Sequence, residues 1–123
     1  MDDALCVELQ NLDGSTLVNV VGEVDACSML ALQACLDEPS LERRVVVDMS
    51  GVRFMDSSGL NVILAQQMRM NEHGGSICIC TPSPAVQRLI EITGLDHVVY
   101  SAEEDVLPAA KVKIDGELAK RAF

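Results

Sequence analysis

The sequence predicts one α/β domain built on a mixed β-sheet, with an N-terminal antiparallel hairpin followed by β-α units. Along the chain, apolar residues alternate between the two-residue period of strands and the 3.6-residue period of helices. An Asp13-Gly14 pair separates the first two strand-like segments and is typical of a hairpin turn. Repeated β-α units imply parallel strands with right-handed crossovers. A length of 123 residues with 49% hydrophobic content suits one such domain.

The predicted strands cover residues 5–9, 16–24, 45–49, 76–81 and 97–100. The third of them, VVVDM, is apolar almost without alternation. That pattern is typical of a central strand covered on both faces. The expected order of elements is β-β-α-β-α-β-α-β-α.

The predicted helices cover residues 28–36, 57–73, 84–93 and 102–107. Ser28 can cap the first helix and Ser83 the third, where Pro84 suits the first helical position. Gly94 fits the residue after the third helix, and Leu95 can close back on Ile90 in a Schellman ending. Residues expected on buried helical faces are Met29, Leu32, Cys35 and Leu36 in the first helix, and Leu60, Ile63, Leu64 and Met68 in the second.

The formal net charge of -10 makes some classes of partner unfavourable. Nucleic acid and anionic membrane surfaces would repel such a chain, so the favoured partner is a protein with a basic face. The N-terminus lacks the layout of a signal peptide, and no apolar run approaches the roughly 20 residues that span a bilayer. We therefore expect a cytoplasmic protein.

Five cysteines, Cys6, Cys27, Cys35, Cys78 and Cys80, occur without a C-x-x-C pair. This pattern fits neither a secreted disulfide framework nor a zinc site. The interpretation favoured by the sequence is buried, inert thiols, with a redox switch as the alternative. His73 and His97 have no partners at metal-ligand spacing, so neither a metal nor a cofactor is expected.

The segment 53–64, RFMDSSGLNVIL, places an acid, two serines and a glycine where a strand pattern becomes a helix pattern. From these residues alone two explanations remain open. Asp56 or Ser57 can cap the helix while Gly59 lets two backbones approach closely. Alternatively, a serine hydroxyl accepts a phosphoryl group, because the N–H donors and positive partial charge at a helix N-terminus accommodate phosphate.

The run VVVDMSGVRFMDSSGLNVIL (45–64) closely resembles the hallmark segment of bacterial anti-sigma factor antagonists, which are single STAS domains. The resemblance continues in GEVD (22–25), in the Gly74-Gly75 turn and in PSPAVQRLIEITGLDHVV (82–99), and it covers about residues 5–107. It implies a STAS-like fold with helices packed mainly on one face of the sheet. The implied domain is 1–110, followed by a C-terminal tail or extra helix over 111–123.

The resemblance also implies a mechanism. In that family the antagonist binds an anti-sigma factor that is also a serine kinase, and binding frees the sigma factor. The kinase phosphorylates the serine directly after the aspartate, the phosphorylated antagonist dissociates, and a metal-dependent serine phosphatase restores it. By position, Ser57 is the implied phosphorylation site. Asp25, Asp56, Ser58 and Gly59 are the implied partner-binding residues, in a domain that is not itself an enzyme.

Other classes fit the sequence poorly. A serine hydrolase would need glycine where Met55 stands, and a phospho-aspartate receiver would need an acidic pair that Asp48 and Asp56 do not supply. The alternative that shares the fold is a STAS domain that is not phosphorylated. Such a domain would scaffold a complex, bind a small ligand or nucleotide, or sense redox state through Cys27. The turn 26–28 and the end of the chain from Pro108 depart from the family pattern.

Overall fold

A computed structural model describes residues 5–100 as a four-stranded mixed sheet with helices packed against it. The elements in chain order are β1 (Leu5–Leu12), β2 (Ser15–Val24), α1 (Met29–Leu36), β3 (Arg44–Met55), α2 (Ser57–Asn71), β4 (Ser76–Cys80), α3 (Pro84–Thr93) and α4 (Asp96–Val99). The predicted helix at 102–107 and the proposed domain boundary at 110 lie outside the described residues.

The sheet has the order β1-β2-β3-β4, so consecutive strands are neighbours. β1 and β2 pair antiparallel through the predicted turn, in which Gly14 has a φ of 76°. β2 with β3, and β3 with β4, pair in parallel. The predicted hairpin and parallel β-α units are confirmed.

The main core lies between one face of the sheet and the helices. Val45, Val47 and Met49 of β3 point into it, together with Leu32 of α1 and Ile63 of α2. A smaller cluster on the opposite face is formed by strand residues, namely Leu17, Val46, Cys78 and Cys80, with Leu12 packed against them. Residues 45–49 are therefore buried along their whole length, and the helices pack on one face, both as predicted.

β3 is much longer than predicted and continues past the end of β4. Its last pair with β4 is Asp48 with Cys80, after which β3 continues beside β2 alone. Two register shifts in this extension give β3 an extra residue, once between its pairs with Asn19 and Val21 and once between its pairs with Gly22 and Glu23. Bulges of this kind re-aim side chains and increase local twist. The two bulges therefore interrupt the regular alternation of side chains between core and solvent over residues 50–54.

Helix α3 has the predicted ends. The Ser83 hydroxyl accepts a hydrogen bond from the Val86 N–H, and Pro84 occupies the first turn. Gly94 adopts a left-handed conformation with φ 73°, and the Leu95 N–H donates to the carbonyl of Ile90 at 3.3 Å. Local sequence signals therefore fixed this helix.

Two element-level predictions are wrong. Residues 97–100 do not form a strand: Asp96–Val99 is a short helix, and only Tyr100 makes an isolated parallel bridge, with Ile79. The Leu95 carbonyl accepts N–H bonds from Val98 and Val99, which a strand could not provide. Met68 does not belong to the buried face of α2, since 66% of its surface is exposed.

Candidate functional site

The candidate site lies where β2 and β3 end side by side. Val24 pairs with Met55 at the ends of the two strands, and the Asp56 N–H donates to the Val24 carbonyl at 3.1 Å. Asp25 and Asp56 each follow directly after one of these strands. The parallel pairing therefore brings together two acids that stand 31 positions apart in the chain.

Asp56 is the cap of helix α2. Its Oδ1 accepts a hydrogen bond from the Ser58 N–H at 2.9 Å and another from the Ser58 hydroxyl. Asp56, rather than Ser57, therefore satisfies the otherwise unpaired N–H at the start of the helix. The hydroxyl of Ser58 is engaged in the same arrangement.

Ser57 is the first residue of α2 and is exposed. Within residues 5–100 its hydroxyl makes no hydrogen bond. The two adjacent serines are therefore not equivalent, because the Ser58 hydroxyl is tied to Asp56 and the Ser57 hydroxyl faces solvent.

The hydrogen bond from the Ser58 hydroxyl, followed by bonds from backbone N–H groups, holds the pKa of Asp56 below its ordinary value of 3.8. A depressed folded-state pKa means that the ionised carboxylate stabilises the fold at neutral pH. That contribution is lost as the pH falls below 3.8 and through the folded-state pKa.

We expect Asp56→Ala to lower the free energy of unfolding by about 1 kcal/mol at pH 7, the usual cost of losing a helix cap. The difference from wild type should shrink as the pH falls below 3.8 and through the lowered folded-state pKa of Asp56, because wild type then loses the ionised cap as well. Urea unfolding at several pH values measures this. Glu8→Ala, an exposed carboxyl on β1, is the control and should stay within about 0.5 kcal/mol. A constant difference across the pH range would contradict the role of the charge.

Gly59 packs the start of α2 onto the ends of both strands. A Cβ at this position would lie 2.6 Å from Cγ1 of Val24 and 2.8 Å from Cγ of Met55. Glycine was expected to let two backbones approach, whereas here it lets the α2 backbone pack against the side chains of Val24 and Met55. The position of Ser57 relative to the sheet therefore depends on a residue without a side chain.

Asp25 organises the turn between β2 and α1. Its Oδ1 accepts from the Cys27 N–H at 2.9 Å and from the N–H of Ser28 at 3.1 Å. Ser28 is the N-cap residue of α1, as predicted, but its side chain makes no capping bond, because its hydroxyl donates to the Glu23 carbonyl and accepts from the Asp25 N–H instead. Local turn geometry is thus one role of Asp25, and its role in partner binding stays a prediction.

The five cysteines fall into three groups by exposure, with Cys35 half-buried between the other two. Cys78 and Cys80 are buried, as predicted, but Cys6 and Cys27 are exposed. Cys6 lies on the edge strand β1 and Cys27 in the turn beside Asp25. Partial burial raises the pKa of the Cys35 thiol, and the nearby Glu38 carboxylate adds to that effect.

Sequence patterns did not identify Arg53 and Phe54 as surface residues of the site. Phe54 is 48% exposed, and Arg53 lies 3.7 Å from the carboxylate of Glu23 on the neighbouring strand. A regular strand would have alternated these positions between core and solvent, whereas the second bulge of β3 exposes both. No sequence signal marks this bulge.

Between residues 5 and 100, no group of three or more His, Cys, Asp or Glu side chains is placed to hold a metal ion. None of the helices in that part of the chain combines the length and apolar content needed to cross a bilayer.

Comparisons with known proteins match almost the whole chain. The STAS domain family model matches residues 7–108. The anti-sigma F factor antagonist of Paenibacillus polymyxa is 32% identical over 114 residues, which cover 88% of this chain and 97% of that protein.

Solved structures give the same result for the fold. An anti-sigma factor antagonist from Mycobacterium paratuberculosis has a TM-score of 0.73 at 28% identity, covering 90% of this chain and 97% of that one. The phosphorylated form of the Bacillus cell fate determinant SpoIIAA has a TM-score of 0.62 at 18% identity, covering 85% and 99%, which is a likeness of fold alone.

Proposed function

Because the chain belongs to the STAS domain family and is related to anti-sigma factor antagonists, we propose that it binds an anti-sigma factor and is switched off by phosphorylation of Ser57. In this scheme the anti-sigma factor is also a serine kinase. The unphosphorylated chain binds it and releases the sigma factor. A serine phosphatase reverses the modification, and the exchange takes place in the cytoplasm, where sigma factors act.

The observation that carries the proposal is the difference between the two serines. The Ser57 hydroxyl is exposed and unbonded within the described residues, so a kinase can reach it without disturbing the fold. Phosphorylation of Ser58 would instead break the bond between its hydroxyl and Asp56, and with it part of the helix cap. The geometry therefore favours Ser57 as the acceptor.

Two opposing effects decide how the fold responds to the phosphate. The helix N-terminus attracts a dianion, and this is worth roughly 0.3–1 kcal/mol at an exposed position. Repulsion from the neighbouring ionised Asp56 acts in the opposite direction and is screened by solvent. These effects largely offset each other, so the domain tolerates the modification.

A docked partner would respond very differently. A partner that covers Ser57 would bury a group carrying about −1.5 to −2 charges that its surface is not built to pair. Burying an imperfectly paired charge costs several kcal/mol. We assign the partner surface to Asp25, Asp56, Ser58 and Gly59 around Ser57. The chain acts by presenting this surface and catalyses no step itself.

The phosphorylation site can be tested directly. Incubating the chain with its anti-sigma kinase and ATP should place one phosphate on Ser57, located by tandem mass spectrometry. Ser58→Ala should still be modified, whereas Ser57→Ala should not. Modification of the Ser57→Ala variant at Ser58 with wild-type yield would contradict the assignment.

A measurement of partner affinity separates the proposal from a redox switch. Cys27 is exposed in the turn beside Asp25, so a redox-sensing role would show as a change in partner affinity on oxidation. If Cys27→Ser binds and releases the partner as wild type does, the thiol has no part in the switch.

A further inference from the structure

A second feature of the same sheet edge is a basic pocket beside the extension of β3. The pocket has a volume of about 550 Å³ and is lined on one side by residues 50–53. The other side is formed by Ser83, Pro84 and Ala85 at the start of α3, and by Arg88. The Ser83 N–H donates to the Met49 carbonyl at 3.1 Å, which places α3 beside β3 where β4 has ended.

The charge of this pocket is opposite to that of the chain. Residues 5–100 contain five arginines and no lysine, and the pocket has two of those arginines, Arg53 and Arg88. Among the described residues that line it there is no Asp or Glu. Such a concentration of cations on a chain of net charge -10 is suited to an anion.

Both guanidinium groups can accept a new partner. Arg53 lies 3.7 Å from Glu23, with 57% and 47% of the two side chains exposed, and an ion pair that exposed is weak and easily exchanged. No ion pair joins Arg88 to any residue in 5–100. Arg43 differs, because its guanidinium group donates to the Leu12 carbonyl at 3.0 Å and to the Thr16 hydroxyl at 2.8 Å.

Two hydroxyls complete the lining. Ser83 is only 5% exposed, and its oxygen accepts from the Val86 N–H. Within the described part of the chain its proton has no acceptor. Ser50, on the opposite wall, is exposed. The pocket therefore combines two planar cations with hydroxyl donors, which suits an oxyanion such as a carboxylate.

We propose that this pocket receives an acidic side chain of the anti-sigma partner, an inference that rests on the proposed function. Arg53 lies near the end of β3 and precedes Ser57, the first residue of α2, by four positions, so a partner that covers Ser57 is close to the pocket. The exposed Phe54 lies between them in the chain and offers apolar contact area. The pocket is also open to solvent. Sites for small molecules usually enclose most of their ligand, whereas a single side chain of a docked protein needs no such enclosure, so the open shape favours the protein side chain.

The surface around Ser57 would then recognise the partner with both signs of charge. Asp25 and Asp56 present carboxylates to basic groups, and Arg53 and Arg88 present guanidinium groups to an acid. Such an alternation fixes the orientation of a complex and excludes partners with a uniformly basic face.

Calorimetric titration of the full chain with its anti-sigma kinase tests the proposal. The double variant Arg53→Gln/Arg88→Gln should bind at least tenfold more weakly than wild type, with a smaller dependence of affinity on salt. Arg44→Gln is the matched control, because Arg44 is an exposed arginine at the opposite end of β3, and it should stay within twofold. Thermal unfolding confirms that all variants are folded.

Wild-type affinity of the double variant would overturn the pocket assignment while leaving the Ser57 switch intact. Absence of binding by wild type would instead overturn the proposed function and the pocket with it. A titration with inorganic phosphate, monitored by NMR of the arginine side chains, tests whether a free anion occupies the pocket instead. Phosphate that binds at Arg53 and Arg88 without reducing the affinity for the kinase would also overturn the proposal.

Discussion

Phosphorylation of Ser57 is expected to weaken binding to the anti-sigma kinase at least a hundredfold while leaving the fold intact. A hundredfold change corresponds to about 3 kcal/mol, which is within the cost of burying one unpaired charge at an interface. The hydroxyl lies exposed at the start of α2, so the unmodified side chain allows close docking and the phosphate does not. Calorimetry with the enzymatically phosphorylated protein measures the change.

Two variants provide the controls for this result. Ser57→Ala should keep wild-type affinity in the presence of ATP, because it cannot be modified. Ser57→Asp should bind less well, although with a single negative charge it reproduces only part of the effect. The free energy of unfolding should change by less than about 1 kcal/mol on phosphorylation, since the helix end and Asp56 act in opposite directions. Equal affinity of the phosphorylated and unmodified proteins would refute the switch.

Gly59→Ala is expected to lower the free energy of unfolding by about 2 kcal/mol. The new Cβ would meet Cγ1 of Val24 at 2.6 Å, so the start of α2 must move away from the strand ends. Overpacking of this kind costs about 1–3 kcal/mol. The higher helix propensity of alanine returns at most about 1 kcal/mol, so overpacking is the larger effect. Denaturant unfolding gives the value.

The same substitution should also weaken binding to the partner, because moving the start of α2 moves Ser57 and Asp56 together. Asn61→Ala provides the matched control, since Asn61 is exposed in the same helix and alanine there removes no packing. The free energy of unfolding of Asn61→Ala should stay within about 0.5 kcal/mol of wild type, and its affinity for the partner should not change. A Gly59→Ala variant as stable as wild type would show that α2 accommodates the methyl group without a shift.

Elements with strong local signals could be predicted from the sequence. Helix α3 was correct at both ends, because a capping serine, a proline in the first turn and a glycine after the last turn each act within a few residues. The hairpin turn and the buried central strand were also correct, since Asp13-Gly14 and the run at 45–49 need no distant contact to be recognised. The prediction of a strand at 97–100 was wrong. The β-branched residues there favour a strand, but hydrogen bonds to the Leu95 and Asp96 carbonyls make the segment helical.

What the sequence by itself determined is the family, the mixed α/β architecture and the position of a serine at a strand-to-helix junction. The structure also decided which serine hydroxyl is exposed, because the local sequence allows either Asp56 or Ser57 to cap the helix and the observed cap is Asp56, which engages Ser58. It also decided that Asp25 lies beside Asp56 and that Arg53 and Arg88 share a pocket. These neighbours are distant in sequence or are re-aimed by bulges, and pairing between strands, unlike capping, leaves no local pattern from which their meeting could be predicted.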